Sequence, residues 1–210
     1  MSEPPVPAEW MNDISKILLT QEQIQERVAT LGRQITQDYA GKKPVLIGVL
    51  KGIIFFMADL LRSINIPLEV DFMSVSNYSA ESRAQGLVRL VKDLEMPIYE
   101  RHVIFVEDII DTGLTIHYLL RNLRARQPAS LEICVLFNKS KNRLIDLPLR
   151  YKGFDIPDNY VVGYGLDYRE QYRNLPFVGL LKAEALHQGE SPKASSHSDQ
   201  SKQGDVPVAL

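Results

Sequence analysis

Glu107, Asp108 and Asp111 stand close together beside the hydroxyls of Thr112 and Thr115, in the string VIFVEDIIDTGLT at residues 103–115. Ionised carboxylates accept hydrogen bonds from vicinal hydroxyls or approach a divalent metal. Gly113 lets the backbone turn without a side chain in the way, and N–H groups at a helix start, flanked by hydroxyls, outline a phosphate site. Three acids would repel a phosphate unless the roles are divided. The acids then face sugar hydroxyls and a divalent ion while the turn's amides hold a terminal phosphate, so the preferred ligand is a phosphorylated sugar. For any single residue here an N-cap or an ordinary helix-starting turn is a competing explanation. For the whole string it is a poor one.

The elements that must position these groups follow from hydrophobic pattern. Val103, Ile104, Phe105 and Val106 are continuously apolar, as in a strand covered on both faces, and charge appears where that strand should emerge. Thr20 and Gln23 make a capping-box pattern, after which Ile24, Val28, Leu31, Ile35 and Tyr39 recur at helical spacing. Residues 44–50 read as a strand, 52–64 as a helix, 68–75 as a strand, 116–126 as a helix and 131–137 as a strand. Strand and helix alternate, which predicts an α/β fold with a mostly parallel sheet flanked by helices. Ligands bind at the carboxyl ends of such strands, where the acidic loop lies.

The string VEDIIDTGLT resembles the phosphoribosyl-diphosphate motif of the type I phosphoribosyltransferases, in the form carried by the hypoxanthine-guanine branch. A second match is PDNYVVGYGLDYREQYR at 157–173, which is similar to the family's base-binding and second-metal region. The resemblance implies the family's fold, with a small hood subdomain and a mobile flap hairpin. It also implies site residues. Glu107 and Asp108 would hold the ribose hydroxyls, and Asp111 would be the general base taking a proton from purine N7. The 5-phosphate would sit on Asp111, Thr112, Gly113, Leu114 and Thr115. Lys51 and Gly52, in a Leu-Lys-Gly turn that often carries a cis peptide in the family, would bind pyrophosphate together with Arg173. Lys139, Tyr160, Val161 and Asp167 would form the base site, with Lys139 donating to the exocyclic oxygen of a 6-oxopurine and Tyr160 stacking on its face. Mg2+ would be the cofactor, held by Asp167 with Glu107 and Asp108 as further candidates. It binds mainly ligand oxygens and water, so no dense acidic cage is needed.

The polar stretch 76–93 reads as the flap. Tyr78 is preceded by Asn77 where the family usually has serine, and RAQG replaces a Ser-rich turn. Taken alone, each position has a plainer explanation: a solvated lysine for Lys51 or Lys139, core packing for Tyr160, a turn for Asp167, a surface ion pair for Arg173. Lys141 and Arg143 near Lys139 mean that positive charge by itself does not single it out.

Composition bounds the rest. The 210 residues, 45% hydrophobic and 24% charged, suffice for one α/β domain with a sizeable core. A net charge of -2 supplies no general basic footprint for nucleic acid or a membrane surface. The one cysteine, Cys134, lies in an apolar run and excludes a disulfide framework, and the four histidines show no ligand spacing. The Pro-rich start lacks signal-peptide character, so a soluble cytoplasmic protein is expected. Residues 1–12 and 187–210 are expected to be disordered around a domain at 13–186. The function implied is purine salvage: transfer of the phosphoribosyl group from 5-phosphoribosyl 1-diphosphate to hypoxanthine or guanine, giving IMP or GMP and pyrophosphate. The partners are these small molecules, with a homodimer or homotetramer as the assembly. Alternatives are a transferase for another base, such as xanthine, adenine or a pyrimidine, and a non-catalytic RNA-binding regulator on the same fold. A dinucleotide-binding fold is disfavoured because no G-x-G-x-x-G follows a strand.

Overall fold

A computed structural model of the chain describes residues 7–76 and 89–187. The capping box forms as the sequence predicts: Thr20 Oγ1 accepts from Gln23 N, and the Gln23 side chain accepts from Thr20 N at 2.9 Å. This starts helix α2 (Gln21–Asp38), which buries Ile24, Val28, Leu31 and Ile35 along one face.

The central sheet has six strands in the order β4-β3-β2-β5-β6-β7. They are β2 (Val45–Leu50), β3 (Glu69–Ser76), β4 (Arg89–Lys92), β5 (His102–Ile110), β6 (Ser130–Asn138) and β7 (Tyr151–Asp155). All neighbours pair in parallel except β3 with β4. Because side chains alternate along a strand, the central strands β2, β5 and β6 each feed two cores. Leu46, Ile104, Val106, Cys134 and Leu136 face α2 and α3 (Ile54–Ser63). Val45, Ile47, Val103, Phe105, Ile133 and Val135 face α4 (Leu114–Arg124). The sheet is thus apolar on both sides, which is why its strands read as continuous apolar runs.

A second sheet, β1-β9-β8, is antiparallel and joins β1 (Ile14–Leu19) to β9 (Val178–Leu181) and β8 (Val161–Val162). It carries its own small core with Val162, Tyr172, Leu175 and Phe177. Helix α1 (Ala8–Asp13) lies against it, with Trp10 edge-on to Tyr172 at 5.7 Å. Residues 8–12, within the segment expected to be disordered, are helical here, with Trp10 partly buried against this core. The short helix α5 (Ala183–His187) closes the described chain. No helix among the described residues is long and apolar enough to cross a membrane. The expected disordered segments before residue 7 and after 187, and the flap residues Asn77 and Tyr78, lie outside the described residues.

Two boundaries differ from the sequence reading in ways that matter for the site. Strand β5 does not stop at Val106 but continues through Glu107 and Asp108 to Ile110, because Ile109 and Ile110 keep pairing with Phe137 and Asn138 of β6. Helix α3 begins at Ile54, leaving residues 51–53 as a turn closed by Ile54 N donating to Lys51 O.

Candidate active site

The carboxyl ends of β2, β5 and β6 open into one cleft of about 660 Å³, roofed by the smaller sheet. Lys51, Gly52, Glu107, Asp108, Asp111, Thr112, Thr115, Lys139, Tyr160, Val161, Asp167 and Arg173 line it, with Val49, Leu50, Ile109 and Leu166. Of the described residues singled out in the sequence, Gly113 and Leu114 do not line the cleft; they shape the turn that does. Gly113 has φ +85° and is the N-cap of α4, a helix start with no side-chain cap. Leu114 N donates to Thr112 Oγ1 at 3.5 Å, and the N–H groups that follow in the first turn are left for a ligand or water.

Parallel registration explains why Lys51 and the acids meet. Gly48 pairs with Val106, so the next residues of β2 and β5 emerge side by side. The Leu50–Lys51 peptide is cis. Gly52 then lies directly against Asp108: a Cβ on it would fall 1.8 Å from Asp108 Oδ2. The roof docks on the same spot. A Cβ on Gly165 would fall 2.0 Å from Gly52 O, and Tyr164 donates its hydroxyl to Asp59 Oδ2 of α3 at 2.6 Å.

The acids differ in environment. Burial, then the charge of Asp108, pushes the Glu107 carboxyl well above its ordinary range. Among the described residues, Glu107 Oε2 is one of two buried side-chain polar atoms with no hydrogen-bond partner. Burial also raises Asp108, to about 6, against the opposing pull of the Ile109 amide and Arg173. Ile109 N donates to Asp108 Oδ1 at 2.6 Å. Asp111, one turn on, is exposed.

Two residues that the sequence reading did not assign organise the surrounding loops. Arg143 donates from Nε to Asp111 O at 2.9 Å and from Nη2 to Asn138 Oδ1 and, at 3.3 Å, to Lys139 O. With Leu144 N donating to Thr112 O, this ties the 111–115 turn to the loop that carries Lys139. Lys139 is nearly buried and donates to Asn159 O at 2.8 Å, next to Tyr160. Glu170 bridges Lys51 and Arg173 at the rim, and Lys51, then Arg173, holds its carboxyl below the ordinary range. Positive charge near Lys139 concealed Arg143, and Glu170 meets Lys51 only through the fold.

Tyr160 is 45% exposed, its hydroxyl donates to Asp167 O at 3.3 Å, and its ring meets Tyr168 edge-on. Asp167 pairs with Arg173 at 2.9 Å and accepts from Glu170 N. No group of three or more His, Cys, Asp or Glu among the described residues is arranged to cage a metal. The orphaned Glu107 oxygen, Asp108 and Asp167 make a sparse oxygen donor set, which fits a hard cation that brings most of its ligands with it.

A model of the phosphoribosyl transferase domain matches residues 15–169. Over 173 residues the chain is 49% identical to the hypoxanthine-guanine phosphoribosyltransferase of Streptococcus agalactiae serotype V, covering 82% of this chain and 96% of that protein. Over 192 residues it is 46% identical to the hypoxanthine-guanine phosphoribosyltransferase of Mycobacterium avium, covering 88% and 95%. The fold is similar to the crystal structure of a hypoxanthine phosphoribosyltransferase from Staphylococcus aureus, with a TM-score of 0.83 and 44% identity, covering 86% of this chain and 98% of that one.

Proposed function

The chain belongs to the phosphoribosyltransferase family, and we propose that it is a purine-salvage enzyme that moves the phosphoribosyl group of 5-phosphoribosyl 1-diphosphate to hypoxanthine or guanine. The observation that carries this reading is the shared cleft. The acidic end of β5, the uncapped start of α4, Lys51 with Arg173, and Lys139 with Tyr160 all open onto one volume large enough for a sugar phosphate and a base.

The division of labour follows from position. The amides from Asp111 to Thr115, with the Thr112 and Thr115 hydroxyls, hold the 5-phosphate at the helix start. Glu107 and Asp108 accept from the ribose hydroxyls and stabilise positive charge developing on the ring. Lys139 donates to the exocyclic oxygen of the base, Tyr160 covers its face, and the backbone of Val161 meets its edge. Asp111 accepts the proton as the base nitrogen bonds to C1 and the C1–O bond breaks, its electron pair leaving with diphosphate. Lys51, Gly52 and Arg173 bind the departing diphosphate, the guanidinium fork matching paired oxygens. Asp167, with Glu107 and Asp108, would hold Mg2+, which neutralises charge on the leaving group when bound.

The same reading makes the protein a homo-oligomer, supported by the adjacent exposed side chains of Ile54 and Phe55. A panel of bases assayed for diphosphate release with magnesium tests the assignment. Hypoxanthine and guanine should give the highest kcat/KM; a clear preference for xanthine, adenine or a pyrimidine would overturn it.

A further inference from the structure

The two cations of the diphosphate subsite are already engaged. Glu170 Oε2 stands 3.0 Å from Lys51 Nζ, and Glu170 Oε1 stands 3.3 Å from Arg173 Nη2. Lys51 comes from the turn after β2 and Arg173 from the roof, so this carboxylate joins the two walls across the mouth of the cleft. The pairs differ in how firmly they are held. The Lys51 and Glu170 side chains are 65% and 64% exposed, whereas Arg173 and Asp167 are 22% and 30% exposed and pair at 2.9 Å.

We propose that Glu170 is a displaceable counter-ion, holding Lys51 and Arg173 until a diphosphate group takes its place and taking them back as the diphosphate leaves. The inference rests on the assignment of those two cations to diphosphate. An exposed ion pair contributes little net stability, so the carboxylate can swing away at small cost. A diphosphate brings more charge and paired oxygens to the same guanidinium fork, and it wins the exchange. Arg173 Nε is buried without a partner, so the guanidinium retains donor capacity that Glu170 does not use. Asp167 stays behind on Arg173. Glu170 is therefore a tuning residue for diphosphate affinity: it weakens binding of the leaving group and speeds its release.

An orienting role for Glu170 predicts the opposite sign. If the carboxylate held the cations in position for the ligand, removing its charge would loosen binding. Glu170→Gln separates the two, because it keeps the shape and the Glu170 N–H that Asp167 accepts.

Inorganic diphosphate is titrated calorimetrically into the full-length wild type and Glu170→Gln at fixed magnesium. The variant should bind roughly three- to tenfold more tightly, the scale of losing one or two exposed competing ion pairs. Its product-inhibition constant should fall by the same factor, with affinity for IMP, which lacks a diphosphate, unchanged. Equal or weaker diphosphate binding by the variant overturns the inference. Failure of the wild type to bind diphosphate overturns the subsite assignment itself, a separate and distinguishable result.

Discussion

Gly52 and Asp108 touch so closely that residue 52 has no room for a side chain: its Cβ would fall 1.8 Å from Asp108 Oδ2. The turn after β2 therefore sets the position of a carboxylate on β5, and the proposed diphosphate and ribose subsites share one contact. Gly52→Ala must move either the turn or the acid. Misplacement of a reacting group by about 1 Å can cost about a hundredfold, so kcat/KM for phosphoribosyl diphosphate should fall by about that factor. Steady-state kinetics at varied phosphoribosyl diphosphate measures it, and wild-type kinetics would show that the contact does not matter.

Asp108 sits in the cleft at a cost to the fold. Its pKa is raised to about 6, above the ordinary Asp value of about 3.9. A raised carboxyl contributes stability below the unfolded-state value, where it is neutral in both states, and loses that contribution as pH rises through about 6. Asp108→Asn removes the buried charge. The variant should be more stable than wild type at pH 7.5 by on the order of 1–3 kcal/mol, with the gap closing between about pH 6 and pH 4. Melting temperatures across that range check it, and a gap independent of pH would contradict it. Binding of phosphoribosyl diphosphate should weaken at the same time.

Asp111 is exposed beside the helix start, where it can reach a bound base without anchoring the fold. Asp111→Asn should lower kcat by about a hundred- to ten-thousandfold, the scale of general-base catalysis. The dissociation constant for phosphoribosyl diphosphate should change little. Single-turnover kinetics with equilibrium binding separates the two effects; lost binding with normal chemistry would overturn the role.

Arg143 braces two loops. Removing it leaves the carbonyls of Asp111 and Lys139 and the side chain of Asn138 without their donor. Arg143→Ala should cost about 1–3 kcal/mol of stability and raise KM for both substrates, because both loops loosen. Arg143→Lys should not restore activity, since an ammonium lacks the planar fork. Denaturant unfolding with two-substrate kinetics tests this, and a variant altered in base KM alone would contradict it.

The central sheet was legible because its strands are apolar on both faces and its helices carry regular stripes, as at Ile24, Val28, Leu31 and Ile35. The acidic string was legible because chemistry and element coincide within a few residues. The roof was not. Strands β1 and β9 pair residues as distant as Ile14 and Leu181, and β8 has only two residues, too few to show a period. The end of β5 was missed because two acids interrupt a strand whose pairing with Phe137 and Asn138 continues beyond them. Within the site, the described residues named from sequence line one cleft apart from Gly113 and Leu114, while Arg143 and Glu170 remained hidden. Arg143 reaches the Asp111 carbonyl 32 positions away and Glu170 a lysine 119 positions away, contacts that no local pattern records.

The stoichiometry of the reaction decides whether this cleft transfers a phosphoribosyl group to a purine. The full-length protein is incubated with magnesium, phosphoribosyl diphosphate and hypoxanthine, and the products are followed by phosphorus NMR. IMP and diphosphate should appear in equal amounts as the sugar diphosphate disappears. Consumption of phosphoribosyl diphosphate without IMP, or no consumption at all, would contradict it.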